Sequence, residues 1–531
     1  MAERKDLGTT GLVNSMLGDD NVLVTIDGKV RQIPATALMQ SLDPIRIENL
    51  PELSNSEDPR GVWLEVIDSD GEAKKMRISS IPQTAENEAA LAYGVSRKSY
   101  LEGTTEMTRI GNLDLHKSLP VQSLMRGCLL DDNGKPTQYL PDSSWVGATR
   151  DGSAGQVMVE IPAHYEIEKR IGVERQYWMS LYPIAGYHYV PKMYVSAYQA
   201  SLDRTNMKLA SVVNTTAQYR GGNNNAAFDG TDKTLLGRPA TSISRTNFRA
   251  YARKRKPGST EWNLMTYDVQ RTLYVLFMVE YATTNSQKAV NTALTTEGYR
   301  QGGLGNGVST LISNNWSAFN SYNPFIPCGY TDSLGNGSGE IAYTMPDSYT
   351  TAAGAALTVY VNRYRGVEMP FGHLCMHCDG YNMMVSAEVE KGGTGQTLAY
   401  VCSDPDLFSD TSVENYRFVC ESTRGGYVTA IAGGDLIDIV PMKVSEIASG
   451  GSSTYFCDYH YHSAPDSGSA LRAPLLGGAS NNGANCGFAY VNSNYAPSDS
   501  NTNIGSRLYF TRHHSPHLGL RPRHLAKNIL Y

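Results

Sequence analysis

The sequence predicts an α+β protein that is mostly β, with an N-terminal segment of β-hairpins and a larger C-terminal region that holds two helices. Turn signals between apolar runs recur in residues 1–100, which is typical of hairpins. Only residues 244–255 and 267–282 show the periodicity of a helix. Elsewhere short apolar runs alternate with Gly, Asn and Ser turns to the end of the chain, and this favours many short strands.

Size and charge limit the classes of function. A chain of 531 residues is expected to form about two to four domains. The net charge of −6, with 18% charged residues, provides no basic surface for nucleic acid. The most apolar run, residues 273–282, contains Glu280 and is too short to cross a bilayer, and residues 1–5 carry no secretory signal. We therefore expect no nucleic-acid partner and no membrane insertion.

Cysteine and tyrosine usage supports two further predictions. The eight cysteines are scattered, so we expect them to be reduced and buried, as in a protein made in a cytosol. Tyrosine is abundant, with 33 Tyr against 11 Phe. Because the phenol suits a surface that is wet on one side and apolar on the other, we interpret the excess as exposed or interfacial tyrosine. Buried, hydrogen-bonded tyrosine is the alternative.

Residues 1–100 are predicted to be an anchoring or oligomerising segment. Strand-like residues 22–26 and 29–33 flank an Asp-Gly pair, and residues 62–67 and 76–78 flank a second turn. Each copy is followed by Ile-Pro, which indicates a degenerate tandem repeat of about 45 residues. Because an isolated hairpin is marginal in water, these strands need a partner chain or a neighbouring surface. An ordinary small β domain is the alternative.

The rest of the chain is predicted as a β-rich neck, residues 101–200, followed by the main domain, residues 201–531. A short helix or linker covers residues 86–100, a hairpin covers 128–140, and residues 156–162 form a buried strand. The first main helix has Ser244 as its N-cap and a basic run at its C-terminal end, where the macrodipole favours cations. The second is predicted to bury Val269, Leu273, Leu276, Phe277 and Tyr281.

Residues 472–510 are the candidate ligand-binding region. Apolar and glycine positions alternate there with small or amide side chains, and residues 475–478 and 504–508 are expected to be short strands. Adaptable amides and rigid tyrosines on a fixed frame are typical of a binding surface, although a polar surface loop is the commoner case. The predicted ligand-binding residues are Ala479, Ser480, Asn481, Asn482, Ala484, Asn485, Phe488, Tyr490, Asn492, Asn494, Tyr495, Ser498, Asp499 and Asn501.

This region resembles the C-terminal variable region of proteins that phage retroelements diversify. The residues that match its frame are Leu475, Leu476, Gly477, Gly478, Gly483, Gly487, Ser498 and the run 504–508. Further landmarks are similar in the same order, at residues 157–162, 284–287, 364–372 and 379–382, so the resemblance covers residues 119–520. Ser506 departs from the family, in which an aromatic residue is common, and the chain continues beyond Leu508.

The resemblance implies a C-type-lectin-like fold of the formylglycine-generating-enzyme subtype, in which two helices flank a short twisted sheet. Its members are found in bacteriophages of gut bacteria, including crAss-like phages. It implies a virion fibre or receptor-binding protein that attaches to a bacterial surface glycan or outer-membrane protein, docks on other virion proteins through its N-terminal region and forms a homotrimer. A structural head-fibre or decoration protein of the virion is the alternative, and calcium binding stays open.

Two stretches are candidates for a metal or catalytic site. In residues 372–380, His373, Cys375 and His377 are expected on one side of a strand and Cys378 on the other, so four ligands would not converge. The formylglycine-generating relatives oxidise a Cys with a copper-binding Cys pair, whereas this segment matches a landmark strand. Residues 455–462 place Asp, His and His on one face without a nucleophile or second carboxylate, and we interpret them as a half-exposed strand leading to the binding region.

The remaining polar motifs have simpler interpretations. The histidines and arginines of residues 512–524 lack regular spacing and are expected in a solvated or subunit-contacting tail. The Gly-rich residues 302–307 and 392–397 lack the following helix or the Lys of a phosphate-binding loop, so both are expected to be turns. We therefore expect no catalytic site, no metal and no cofactor. An oxidase or glycan-processing enzyme is the third hypothesis, and stoichiometric copper or zinc in the purified protein would favour it.

Overall fold

The computed structural model describes residues 21–26, 29–34, 63–67, 73–77, 85–311, 313–346 and 357–512. The structure is 32% strand and 14% helix, which confirms the prediction of an α+β protein that is mostly β. The chain divides into two compact units, residues 1–90 with 182–186, and residues 91–181 with 187–531. The predicted division between residues 200 and 201 falls inside the second unit.

The described residues of the first unit form one antiparallel sheet made of two hairpins. Its strands are β1 (Asn21–Ile26), β2 (Lys29–Pro34), β3 (Trp63–Ile67) and β4 (Ala73–Arg77). The order is β2-β1-β3-β4, and the two hairpins join where Val24 lies opposite Val66. Both predicted hairpins are confirmed, and each provides the pairing surface for the other. Strands β2 and β4 are the edges of this sheet.

The helices of the described chain are α1 (Ala85–Leu91), α2 (Leu115–Ser118), α3 (Arg245–Arg253), α4 (Tyr267–Tyr281) and α5 (Ser313–Asn320). The strands that follow β4 are β5 (Ala92–Arg97), β6 (Thr108–Gly111), β7 (Arg126–Leu130), β8 (Pro136–Tyr139), β9 (Gln156–Ile161), β10 (His164–Ile171), β11 (Glu174–Ser180), β12 (His188–Val190), β13 (Met193–Ser196), β14 (Ser201–Asp203), β15 (Lys208–Ala210), β16 (Trp262–Leu264), β17 (Val290–Asn291), β18 (Gln301–Gly302), β19 (Gly339–Thr344), β20 (Thr358–Tyr364), β21 (Val367–Glu368), β22 (Cys375–Met376), β23 (Tyr381–Ser386), β24 (Thr397–Val401), β25 (Arg417–Glu421), β26 (Gly426–Tyr427), β27 (Ile431–Gly433), β28 (Asp438–Pro441), β29 (Tyr459–Tyr461), β30 (Ser469–Arg472), β31 (Leu475–Gly477), β32 (Gly487–Asn492), β33 (Ile504–Gly505) and β34 (Leu508–Phe510).

These strands form several small sheets. The larger ones have the orders β12-β10-β11-β5-β6, β16-β34-β13-β9-β7-β8, β26-β29-β32-β31-β22-β33 and β25-β24-β23-β30. The smaller ones are β19-β20-β21, β14-β15, β17-β18 and β27-β28. The hairpin β7–β8 and the buried strand β9 confirm two sequence predictions. Because β13 pairs with both β9 and β34, the predicted neck and the C-terminal residues share one sheet.

Helix α4 lies at the centre of the core. All its residues except Asp268 are buried, as expected for a helix enclosed on every side. It packs against β5, β11 and β32, and the Phe277 ring centroid lies 5.6 Å from that of Phe488. The helix ends at Ala282, which adopts a φ of 53°. The predicted helix 267–282 is confirmed, but it is buried on all its faces rather than on one.

Helix α3 begins at the predicted cap and ends at Arg253, two residues before the predicted end. The Ser244 hydroxyl accepts a hydrogen bond from an amide of the first turn at 3.3 Å. The cations at the other end bind within the protein: Arg253 donates to the Pro405 carbonyl at 2.6 Å, and Arg255 donates to Asp132 at 2.7 Å. This basic run therefore stabilises the fold. Helices α1, α2 and α5 are short and were not predicted, apart from α1 as a possible helix or linker.

The interpretation of the tyrosine excess is wrong for many of the described tyrosines. Tyr360 is 48% exposed, but the buried ones are Tyr93, Tyr177, Tyr194, Tyr198, Tyr267, Tyr274, Tyr281, Tyr364, Tyr381, Tyr416, Tyr490 and Tyr509. Most of these hydroxyls are satisfied internally: Tyr198 donates to Asp332 at 2.7 Å, and Tyr274 donates to the Thr284 carbonyl at 2.7 Å. Tyrosine suits these interior positions because most of the hydroxyls have a hydrogen-bond partner in the interior.

The cysteine prediction is confirmed, since all eight thiols are buried and none forms a disulfide. Burial raises the pKa of the Cys375 thiol to about 12, so this sulfur is protonated at neutral pH. Within the described ranges, no helix has both the length and the apolar content that a bilayer crossing requires.

Candidate ligand-binding face

The candidate region runs through the sheet β26-β29-β32-β31-β22-β33, here called the face sheet. The two predicted frame strands form as β31 and β33, although β33 is shorter than predicted. Strand β22 lies between them, antiparallel to β31 and parallel to β33. The two ends of the variable-like region are therefore held close together by a strand from outside it.

Two frame glycines occupy positions where a side chain would clash. Gly478 adopts a φ of 78°, and a Cβ there would lie 2.5 Å from the Cys486 sulfur. Gly487 has a φ of 150°, and a Cβ there would overlap the Asp458 carboxyl group. Both positions therefore require glycine. The two glycines flank residues 479–486, and the backbone on each side of this loop follows a path that a residue with a side chain would block.

The frame residues at 506 and 507 tie β33 and β34 to the core. Arg507 is fully buried and donates from Nη2 to the Glu368 and Met369 carbonyls, the latter at 2.5 Å. Burial lowers its pKa to about 9. Ser506 donates to the His377 carbonyl at 2.9 Å.

The first loop, residues 479–486, has a backbone fixed from outside. The Gly483 amide donates to the Ser309 carbonyl at 2.8 Å. The Gln287 side chain donates to the carbonyls of Gly483, at 3.0 Å, and Cys486, at 2.9 Å. These bonds involve main-chain atoms of the loop, so they do not depend on which side chains the loop carries.

The second loop, residues 493–503, is held in the same way. The Tyr495 carbonyl accepts from the Ala473 amide at 2.9 Å, and the Pro497 carbonyl accepts from the Arg245 amide at 3.0 Å. Helix α3 therefore contacts this loop at its N-terminal end. The backbones of both loops are set by the scaffold, while several of their side chains reach solvent.

The structure separates the predicted ligand-binding residues into three groups. The exposed ones are Ala484, Ser498 and Asn501. The half-buried ones are Asn481, Asn482, Asn485, Asn494, Tyr495 and Asp499. The buried ones are Ala479, Ser480, Phe488, Tyr490 and Asn492.

The five buried residues are corrections to the predicted face. Strand β32 is buried over its whole length because it lies between β29 and β31 with apolar clusters on both sides. Phe488 packs into the cluster around α4, and Tyr490 packs into a second cluster with Leu475 and Ile504. Ser480 donates to the His373 carbonyl at 3.0 Å. These side chains pack beneath the loops and are not accessible to a ligand.

A row of half-buried tyrosines, here called the tyrosine row, lies next to the predicted residues. The Tyr427 and Tyr459 rings lie 5.1 Å apart, and the Tyr459 and Tyr461 rings lie 4.6 Å apart. The Asn485 amide donates to the Tyr461 hydroxyl at 2.7 Å and joins this tyrosine row to the first loop. The sequence pattern indicated an aromatic strand at 455–462, but Tyr427 was missed because only the pairing of β26 with β29 brings it there.

The two loops and the tyrosine row together form a surface, here called the face. This surface is polar but almost uncharged. Between residues 479 and 503 the one ionisable acid is Asp499, and there is no Lys or Arg. Asp499 accepts from the Ala496 amide at 2.8 Å, so its carboxylate is used in shaping the second loop. The Asn494 side-chain oxygen is buried and has no partner among the described residues. Amides, hydroxyls and phenol rings are therefore the groups that a ligand would meet.

The segment 372–380 is part of the core. Both nitrogens of His373 are used, Nδ1 with the Gln199 side chain at 2.8 Å and Nε2 as acceptor from the Phe325 amide at 3.4 Å. Burial lowers the pKa of His373 to about 3, so the ring is neutral. Only Cys375–Met376 form a strand there. In the part of the chain that the structure describes, no three His, Cys, Asp or Glu side chains are grouped as metal ligands.

The Asp, His and His of residues 455–462 do not converge either. His460 contacts the hydroxyls of Thr423 at 3.0 Å and Ser493 at 2.9 Å, whereas His462 contacts Thr397. Asp458 is fully buried, and burial raises its pKa. Only residues 459–461 form a strand, whose tyrosines belong to the face. The predicted histidine-rich tail at 513–524 lies outside the described residues.

A scan against models of protein families and a search of curated proteins both give no match. The function is therefore inferred from the chain's own residues and contacts.

Proposed function

We propose that this protein is a bacteriophage virion fibre or receptor-binding protein that adsorbs to a bacterial surface molecule through the face. The observation that carries the proposal is the separation, within residues 472–510, of a buried frame from accessible loop side chains. Surface substitutions usually alter the free energy of unfolding by under about 0.5 kcal/mol. Loop residues can therefore change while the fold persists, which suits a protein whose target varies.

The proposed fold of the second unit is C-type-lectin-like, of the formylglycine-generating-enzyme subtype. Support comes from the two longer helices, α3 and α4, and from the frame strands β31 and β33 at the positions that the resemblance implies. Rewriting of the loops by a retroelement belongs to the same proposal. Deep sequencing of the gene from one phage population tests it, with substitutions expected to concentrate between residues 479 and 503. An even spread of substitutions contradicts it.

The chemistry of the face favours a glycan as the surface molecule. Phenol rings such as Tyr459 and Tyr461 present apolar faces on which a sugar ring can stack, with hydroxyls at their edge. The amides of the two loops can donate to and accept from sugar hydroxyls. The scarcity of charge in the loops suits a neutral saccharide. An outer-membrane protein is the other target, and the two are distinguished by periodate and protease treatment of the cells.

The first unit is proposed to dock on other virion proteins. Its sheet has two edge strands, β2 and β4, and an edge strand presents backbone groups to which another strand can add. A homotrimer would present three copies of the face and raise the avidity of weak individual sites. In this proposal the protein acts by adsorption and not by turnover of a substrate.

The test uses the labelled full-length protein and host cells. We expect saturable binding to cells, loss of binding after periodate oxidation of surface sugars, and retention after protease treatment. Binding to virions that lack the protein is expected of both candidate functions and does not distinguish them. A head-fibre or decoration protein predicts no binding to cells in any state. That outcome contradicts the proposed role in adsorption.

A further inference from the structure

Three arginines form a row across three neighbouring strands of the sheet β12-β10-β11-β5-β6. Arg97 on β5 lies directly opposite Arg175 on β11, and Arg175 lies directly opposite Arg170 on β10. Residues directly opposite one another project to the same side of a sheet, and like charges in this arrangement destabilise it. Negative charge at the same place would therefore stabilise the arginine row.

The protein supplies less negative charge than the arginine row needs. The buried carboxylate of Glu168 lies 2.9 Å from Arg170 and 3.8 Å from Arg175, so one carboxylate serves two guanidinium groups. Arg97 is 2% exposed and has no ion pair with any described residue. Its Nη2 donates to the Glu102 carbonyl at 2.8 Å, and its buried Nε has no hydrogen-bond partner.

Aromatic rings hold two of the guanidinium groups in place. Arg97 lies over the rings of Tyr455, at 5.4 Å, and Phe456, at 5.0 Å, and Arg175 lies over the ring of Tyr100 at 4.5 Å. Such contacts stabilise a cation by a few tenths to about 2 kcal/mol, but they do not neutralise it. Burial lowers the pKa of Arg97, as expected for a cation removed from water without a carboxylate.

The arginine row borders an open cavity of about 230 Å³. Arg97, Tyr177 and Ile431 are buried parts of its wall, while Lys443 and Ser445 are exposed at its rim. The lining contains four basic side chains and two carboxylates, although the protein as a whole carries a net charge of −6. Positive charge is thus concentrated around a space large enough for a small ligand.

We propose that the arginine row is a binding site for a small ligand that carries a carboxylate, sulfate or phosphate group. The negative charge of that group neutralises Arg97 and Arg175. Guanidinium groups bind such oxyanions through short, charge-assisted and often bidentate hydrogen bonds. The cavity has room for a single acidic sugar residue or for a free inorganic anion. The site shares no residue with the face, and it does not depend on the proposed function.

The experiment is a calorimetric titration of the full-length protein with sulfate, inorganic phosphate, glucuronate and N-acetylneuraminate, with glucose as the neutral control. We expect saturable one-to-one binding of at least one anion, no binding of glucose, and an affinity that falls as salt is added. Tighter binding of a sugar acid than of either inorganic anion identifies an acidic saccharide as the ligand. The reverse order identifies a free anion.

Variants connect the binding to the arginine row. Arg175 is half-buried, so Arg175→Gln is expected to fold, and Arg97→Gln removes the cation that has no carboxylate partner. Each substitution should weaken binding by at least about tenfold, the effect of losing about 1.4 kcal/mol. Lys135→Gln removes one exposed positive charge outside the cavity and should leave binding unchanged. No saturable binding of any anion, or equal affinity in Arg175→Gln and the native protein, overturns the proposal.

Discussion

The side-chain amide of Asn485 donates to the Tyr461 hydroxyl at 2.7 Å and joins the first loop to the tyrosine row. Tyr461 rests on the core, since its ring lies 5.7 Å from that of the buried Tyr490. Burial raises the pKa of Tyr461, so the phenol is neutral and can donate as well as accept. The buried Tyr490 ring thus positions Tyr461, and the Tyr461 hydroxyl positions the side-chain amide of Asn485 in the first loop.

Removal of rings from the tyrosine row should weaken adsorption. Tyr459→Ala and Tyr461→Ala each delete an aromatic surface of the face, and we expect about tenfold weaker binding to host cells, equivalent to about 1.4 kcal/mol. Flow cytometry with the labelled protein measures this effect. Tyr360→Ala removes a tyrosine that is exposed on β20, and it should bind as the native protein does. Native affinity in Tyr459→Ala and Tyr461→Ala would exclude the row from the binding site.

Substitutions in the frame and in the loops should differ in their effect on stability. Gly487→Ala forces a Cβ against the Asp458 carboxyl group, and we expect a loss of at least about 2 kcal/mol in the free energy of unfolding. Ser498→Ala alters an exposed loop position and should change it by less than about 0.5 kcal/mol. Urea denaturation measures both. Equal losses in the two variants would mean that the loops are part of the structural core.

Helix α3 should depend on Arg249, which together with Arg245 binds two carboxylates. Arg249 donates to Asp379 at 2.8 Å and to Asp410 at 2.8 Å, and the Asp379 side chain is fully buried. Arg249→Met leaves these carboxylates under-compensated, and we expect a loss of about 3 kcal/mol. Lys254→Met, at an exposed position just after the helix, should cost less than about 0.5 kcal/mol. A native melting transition in Arg249→Met would contradict the importance of this network.

His460 should give the stability a defined pH dependence. Burial lowers its pKa to about 3, from about 6.5 in an unfolded chain. Between these two pH values the unfolded state binds a proton that the folded state does not. The contribution of His460 to the free energy of unfolding is therefore fully present above about pH 6.5. Below that pH it decreases by about 1.4 kcal/mol for each pH unit.

The measurement compares the native protein with His460→Asn by urea denaturation at several values between about pH 5 and pH 6. We expect the free energy of unfolding to vary less steeply with pH in the variant, by the equivalent of about one proton. His460 and the asparagine that replaces it can both hydrogen-bond with Thr423 and Ser493. The slope of the free energy of unfolding against pH is therefore a better readout than the free energy itself. Identical slopes would show that His460 is not held neutral in the folded protein.

Sequence patterns sufficed where the signal lies within a few residues. The cap at Ser244, the hairpin β7–β8 and the frame strands β31 and β33 follow from local turn, capping and alternation rules. Burial of β32 did not follow, because the clusters that cover its two faces come from distant parts of the chain. Alternation alone cannot distinguish a strand with one wet face from a strand enclosed on both.

The arginine row was also invisible in the sequence. Arg97, Arg170 and Arg175 become neighbours only through the registers of β5, β11 and β10, and a shift by one residue would separate them. Tyr427 joined the face for the same reason. Long-range register, rather than local propensity, thus determines which side chains share a site in this protein.

The division between frame and loops is tested most directly by one variant that combines alanine substitutions at five accessible loop residues, measured for both adsorption and stability. The substituted residues are Asn481, Asn485, Asn494, Ser498 and Asn501. We predict that cell binding falls by at least about tenfold, while the free energy of unfolding stays within about 2 kcal/mol of the native value. Native-level binding to cells, or a collapse of stability greater than that of Gly487→Ala, would contradict a fixed frame that presents replaceable side chains to a target.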